Sequence, residues 1–273
     1  MITINNKRNI LLTSPKGYAA RLGKAFEEFL QMTDFHAISV PMIQTDIYTE
    51  SDDFQHLIHH LNEFDYLAFC SRKAIETFAV GLKDSGLELP SSLQLCAIGK
   101  DNELINELLH TSPAFISVEP SPQGIVNQLE RISEAIGKRI AVLAPQVIGM
   151  AEPSIVPDFI SRLENIGMHP VRITTYQTKP AAIETLKATS KKILDQKFEA
   201  VIFTSGTEIK VFLQMVPEGM SVDTFVKDIT IICYGPYTAS CANQYGLKVD
   251  FTSKAFGSFQ ELIKQLALYY NKV

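Results

Sequence analysis

What this chain lacks narrows its chemistry first. Its four cysteines, Cys70, Cys96, Cys233 and Cys241, show no CxxC spacing. Reduced thiols in a cytosolic protein are therefore expected, not a disulfide framework or a cysteine metal site. Neither GxGxxG nor GxxxxGK[ST] occurs, so dinucleotide and nucleoside triphosphate sites have no support. No apolar run reaches the length of a membrane span, and residues 1–9 are polar, without the basic-then-apolar profile of a signal peptide. Long runs of like charge and low-complexity tracts are missing too. Basic residues are in deficit: 25 Lys and Arg against 30 Asp and Glu give a net charge of −5. That argues against a general nucleic-acid binder, because phosphate contacts demand a basic face. An anionic small molecule stays open, since backbone amides can make a cleft locally positive.

What is present is a globular composition of 273 residues, 46% hydrophobic and 20% charged, enough for two domains that each bury a core. The chain also repeats itself. Phe64 to Phe78 and Phe198 to Phe212 each read as an apolar strand ending in Phe-x-Ser, with Ser71 or Ser205 placed to cap a helix whose inner face carries Ile and Phe. Other pairs keep nearly the same separation: Gln44-Thr45 with Gln177-Thr178, Gly99 with Gly235, Gly124 with Gly257, and Ile10 to Pro15 with Ile140 to Pro145. Two copies of one unit, joined near Gly137, account for this register.

Within each copy, strand-like runs alternate with helical periodicity. Strands are expected at 9–13, 37–42, 66–69, 93–98 and 115–118, then at 139–143, 171–175, 200–203, 229–233 and 248–251. Helices are expected at 18–31, 53–61, 72–82, 102–109 and 123–136, then at 154–165, 181–194, 207–215, 237–245 and 258–270. Strands apolar on both faces, alternating with helices, predict α/β doubly wound parallel sheets. In such sheets ligands bind beyond the carboxyl ends of the strands, where the paired motifs fall.

Each motif has a plain structural alternative. A serine cap is worth about 1 kcal/mol with no ligand at all. Two matched turns, followed by Arg72 and by Gly206, favour exposed amides that meet an anion. The second pair is Ala97 to Lys100 and Cys233 to Ala239, a strand followed at once by glycine and a helix. Pro236 suits a first helical turn, and Thr238 is placed to hydrogen-bond an anion there; a tight loop is the alternative. His56 and His60 stand four apart on an expected helix, but without HExxH they read as exposed polar residues, and no metal is expected. Tyr176, at a strand end, is either a proton-donating phenol or a hinge-packing aromatic.

Together these segments resemble the uroporphyrinogen-III synthase family over essentially the whole chain. The likeness rests on Leu12 to Pro15 with Tyr18 to Leu22, Phe69-Cys70-Ser71, Ser121-Pro122-Gln123-Gly124, Phe203-Thr204-Ser205 and Tyr234 to Ala239. Ala144 to Pro153, running on to Val156-Pro157-Asp158-Phe159, looks like the cyanobacterial and plant branch. The sequence departs from the family pattern at Cys70 and at Asn102, where threonine is usual.

The resemblance implies two similar flavodoxin-like lobes joined by a two-stranded linker, with the repeat out of step with the domains. Lobe one would hold residues 1–42 and 179–273, lobe two 43–178, with linker strands near 40–46 and 174–180. It also implies a hydro-lyase of tetrapyrrole biosynthesis, on the route to haem and chlorophyll. The reaction closes hydroxymethylbilane to uroporphyrinogen III with loss of water and inversion of the last ring, and needs no cofactor. Tyr176 would assist departure of the hydroxyl group. The substrate's carboxylates would be held by Ser71 and Arg72, Ser205 and Gly206, and Pro236, Tyr237 and Thr238, with Ser14, Lys16, Arg21 and Lys100 in support. A cytosolic monomer is expected, with no nucleic acid or membrane partner. The alternative is a two-lobed α/β protein that binds a small anion without catalysis.

Overall fold

The computed structural model describes residues 8–28, 35–117, 119, 121–254 and 258–270. In chain order its elements are β1 (Arg8–Leu12), α1 (Lys16–Glu28), β2 (Phe35–Ser39), β3 (Ile43–Ile47), α2 (Asp52–His59), β4 (Tyr66–Phe69), α3 (Arg72–Ser85), β5 (Gln94–Ala97), α4 (Asn102–Leu109) and α5 (Pro122–Leu129). There follow β6 (Arg139–Val147), α6 (Ile155–Asn165), β7 (His169–Pro180), α7 (Ile183–Leu194), β8 (Ala200–Phe203), α8 (Gly206–Leu213), α9 (Val222–Phe225), β9 (Thr230–Cys233), α10 (Pro236–Gln244), β10 (Phe251–Thr252) and α11 (Phe259–Tyr270). The chain divides into two compact units, Met1–Gln44 with Lys179–Val273, and Thr45–Thr178, so both boundaries fall inside strands, β3 and β7.

Unit 1 is built on the sheet β2-β1-β8-β9-β10, with every neighbouring pair parallel. Counted along its own strands this is the order 2-1-3-4-5 of flavodoxin-like sheets. Unit 2 carries β3-β7-β6-β4-β5, with β7, β6, β4 and β5 parallel. The repeat explains both orders: β1 and β2 correspond to β6 and β7, while β4 and β5 correspond to β8 and β9. Each sheet takes its first pair from one copy and its second pair from the other.

Both faces of the sheets are covered. In β4, Leu67 and Phe69 join one apolar cluster with Phe54, Ile75 and Phe78, whereas Tyr66 and Ala68 join another with Ile125, Phe159 and Leu163. Successive strand side chains point to opposite faces, so a wholly apolar strand needs helices on both sides. In unit 1, Ile10, Leu12, Ala200 and Ile202 pack against Leu22 and Phe26 of α1 and Leu262 and Leu266 of α11.

Several segments differ from the sequence expectation. The strands expected at 139–143 and 171–175 run on to Val147 and Pro180, which puts Tyr176 within β7, and the strand expected at 248–251 is reduced to Phe251–Thr252. The strand expected at 37–42 stops at Ser39 and resumes as β3, with Pro41 between; proline has no amide to donate to a ladder. Phe115 to Ser117 form no strand, and Val118 lies outside the described residues. Pro113 and Pro120 bracket that segment in the sequence. The helix expected to reach Ile136 ends at Leu129 and is followed by a 3-10 turn at Ser133–Ala135. The short α9 was not expected.

Candidate active site

In each unit the strand order reverses once, between β1 and β8 in unit 1 and between β6 and β4 in unit 2. Open α/β sheets bind ligands outside the carboxyl ends of strands at that reversal. Most candidate residues fall at these ends because the short strands β1, β4, β8 and β9 finish in apolar residues or cysteine and the next few residues must turn and start a helix.

In unit 1 the turn after β8 holds Thr204, Ser205 and Gly206. Ser205 is extended and caps α8 by accepting from the Glu208 amide at 3.4 Å. Gly206 is spatially constrained as well: a Cβ there would lie 2.7 Å from Cys241 Sγ on α10. After β9, Gly235 caps α10 without a side-chain bond and Pro236 occupies the first turn, which leaves amides at this helix start uncapped by side chains. Tyr237 is exposed, and the buried Thr238 donates its hydroxyl to Thr204 O at 3.3 Å. After β1, Ser14 is fully buried and its Oγ has no hydrogen-bond partner. Lys16 begins α1 and is exposed. The Arg21 guanidinium lies 4.5 Å from the Tyr18 ring centre and 5.4 Å from that of Phe259. Tyr234 stacks at a tilt on Phe259 with centroids 4.8 Å apart. Three aromatic rings thus stand with Arg21, two of them in helix first turns and one directly after β9.

Sequence reasoning missed the centre of this turn cluster. Glu208, at the third position of α8, is 1% exposed. Its Oε1 meets Thr204 Oγ1 at 2.6 Å and Ser205 Oγ at 3.0 Å, and its Oε2 meets the Thr204 amide at 2.8 Å and Thr13 Oγ1 at 2.7 Å. Burial pushes its carboxyl above the ordinary range, opposed by the hydrogen bonds from Thr204, Thr13 and Ser205. The signal was present as the S-x-x-E of a capping box at Ser205 to Glu208.

In unit 2 the equivalent serine does something else. Ser71 caps α3, accepting from the Ala74 amide at 3.3 Å, and donates its own hydroxyl to Tyr176 Oη at 2.8 Å. Tyr176 is buried in β7, and its orientation depends on an irregularity in the β6–β7 pairing between Ala144 and Pro145. In a regular strand Ile173 and Tyr176 would point to opposite faces. With the extra residue, both join the same cluster as Phe69 and Phe78. Arg172 supports this point by donating to Pro145 O at 2.6 Å while it pairs with Glu152.

The remaining unit 2 candidates are engaged as follows. The half-buried Arg72 pairs with Glu76 at 3.8 Å and Asp101 at 3.6 Å. Lys100 sits in the 3-10 turn Gly99–Asp101, and its side chain lies outside what is described. Asn102 donates to Gly99 O at 2.8 Å, and its buried Oδ1 has no partner. Burial pushes the Cys70 thiol up to about 12, which makes it a poor nucleophile. Among the described residues, the His and acid side chains close enough to share a cation are His56, His60 and Glu63, all exposed. Arg139 already holds Glu63 at 3.1 Å and lowers its carboxyl, which places a positive charge where a metal would sit.

A family model described as uroporphyrinogen-III synthase HemD matches residues 24–259. No curated protein matches the chain by sequence. Among solved structures, a mutant uroporphyrinogen III synthase from the extremely thermophilic bacterium Thermus thermophilus is similar with a TM-score of 0.64 at 14% identity, over 96% of this chain and 99% of that one. The wild-type protein from the same organism, in another crystal form, gives a TM-score of 0.50 at 14% identity over 97% and 100%. At that identity the structural likeness speaks for the fold.

Proposed function

Since the chain belongs to the uroporphyrinogen-III synthase family, a cyclising lyase of tetrapyrrole biosynthesis, we propose that it closes hydroxymethylbilane with Tyr176 as the acid that assists departure of the hydroxyl group. The observation that carries this role is the 2.8 Å hydrogen bond from Ser71 to Tyr176 Oη. A donor aimed at the phenol oxygen would stabilise the negative charge that develops there as the proton is given up. It also leaves the phenol proton to point elsewhere.

Electron release from the pyrrole drives hydroxyl loss, so the acid's share is modest. Most of the task is to hold the chain so that the substituted carbon of the last ring attacks the azafulvene. Carboxylates on the substrate would be held in unit 1 by the amides of Ser205 and Gly206 and of Tyr237 and Thr238, with Pro236 shaping the helix start and Ser14, Lys16 and Arg21 in support. In unit 2 the corresponding groups are Ser71 and Arg72, with Lys100. Each helix start supplies partial positive charge worth about 0.3–1 kcal/mol at an exposed site. Arg72 already shares its charge with Glu76 and Asp101, so it serves best as a brace for the turn. The enzyme would act as a cytosolic monomer without a cofactor, as lobes 1–42 with 179–273 and 43–178.

The test is to supply hydroxymethylbilane and separate the uroporphyrin isomers after oxidation. Type III product is expected. Type I product alone, at the spontaneous rate, would overturn the assignment and leave an anion-binding protein.

A further inference from the structure

The hydrogen bonds around Glu208 do not balance if it is a carboxylate. Thr13 Oγ1 lies 2.7 Å from Ile202 O and 2.7 Å from Glu208 Oε2. A hydroxyl has one proton, and neither a backbone carbonyl nor a carboxylate can donate. With Glu208 ionised, one of these two short oxygen pairs would have no full hydrogen bond between them. With a proton on Oε2, every contact has a donor: Glu208 gives to Thr13 Oγ1, Thr13 gives to Ile202 O, and the Thr204 amide and the hydroxyls of Thr204 and Ser205 give to the two carboxyl oxygens.

Two further observations agree. No ion pair among the described residues includes Glu208, and a fully buried lone carboxylate is costly. The second sheet also shows what replaces the set. In the repeat register Thr13, Thr204 and Glu208 correspond to Leu143, Cys70 and Ala74. The three polar groups give way to apolar ones together, as expected of a neutral network that can be exchanged whole for hydrocarbon. Ser71 alone keeps its hydroxyl, and there it turns to Tyr176.

We propose that Glu208 is a positioning residue held as a neutral carboxylic acid, which donates its proton to Thr13 and ties the turns after β1 and β8 together. An ionised group in the first turn of α8 would set a negative charge beside the amides of Ser205 and Gly206 and repel an incoming carboxylate. The neutral acid holds the same geometry without that charge. This electrostatic consequence rests on the carboxylate-binding role proposed above; the protonation itself does not. Cys233 of β9, which interacts electrostatically with Glu208, has a thiol pushed up to about 12 by burial first, so it is uncharged as well.

The test is an infrared spectrum of the full-length, substrate-free protein at neutral pH. A carbonyl band of a protonated carboxyl is expected in the wild type and should be lost in Glu208→Gln. Absence of that band in the wild type, or its survival in Glu208→Gln, overturns the proposal. Thr13→Val supplies a second measurement should Glu208→Gln not fold: the band should move to higher frequency once the acid loses its acceptor, and an unmoved band overturns the proposal. No substrate is present, so either outcome is independent of the isomer assay that decides the synthase role.

Discussion

Ser71 and Tyr176, 105 residues apart in the chain, share a hydrogen bond of 2.8 Å from the serine hydroxyl to the phenol oxygen. The same serine caps α3 through the Ala74 amide. One hydroxyl therefore fixes a helix start and a phenol inside β7, which runs on past Tyr176 to Pro180. The matching Ser205 spends its hydroxyl on Glu208 instead.

If that phenol is the acid, Tyr176→Phe should lower the single-turnover rate with hydroxymethylbilane by ~10²-fold, the low end for general acid catalysis. The product should remain type III, since shape and not the proton selects the isomer. Ser71→Ala should slow the step by roughly fivefold, the worth of about 1 kcal/mol for a lost hydrogen bond. It should also lower stability by about 1 kcal/mol through the lost cap, read by urea unfolding. A full single-turnover rate in Tyr176→Phe would rule out the acid role.

Gly206 serves packing as well as the helix start. A Cβ there would lie 2.7 Å from Cys241 Sγ and 3.2 Å from Cys241 Cβ. Gly206→Ala is expected to destabilise by ~1–3 kcal/mol as overpacking, and Cys241→Ala in the same chain should recover most of it. Thermal unfolding of the single and double variants measures this. A fully stable Gly206→Ala that binds substrate poorly would show that close ligand approach, not α10, requires the glycine.

Glu208 gives the fold a pH dependence of definite sign. Burial raises its folded carboxyl above the unfolded value. Its contribution is then full below the unfolded value and is lost as pH rises through the folded one. The melting temperature of the wild type should fall relative to Glu208→Gln as pH is raised above the ordinary carboxyl range. Cys233 of β9 interacts with Glu208, and Cys241 of α10 with Cys233 and with Lys210 of α8, but these groups are common to both proteins, so the difference isolates Glu208. Parallel melting curves across pH would refute the raised value.

Much of this could be read along the chain because its causes are local. Serine followed by helical periodicity marks the starts of α3 and α8, and wholly apolar runs such as Tyr66–Phe69 and Ala200–Phe203 can only be strands covered on both faces. Local patterns said less where proline competes: Pro41 separates β2 from β3, and Phe115 to Ser117 form no strand despite their apolar look. Glu208 carries only the local mark of a capping box with Ser205. Its meaning depends on Thr13, which lies 195 positions away.

The sequence by itself determined the α/β class, the duplication and the serine-capped turns, because propensity, periodicity and spacing act over a few residues. Only the tertiary structure decided which halves of the two copies share a sheet, that an irregularity at Ala144 and Pro145 turns Tyr176 to the face of Ile173, and that Glu208 is sealed from water. Strand pairing, side-chain direction past a bulge, and burial of a charge are set by partners distant in sequence, and no local pattern encodes them.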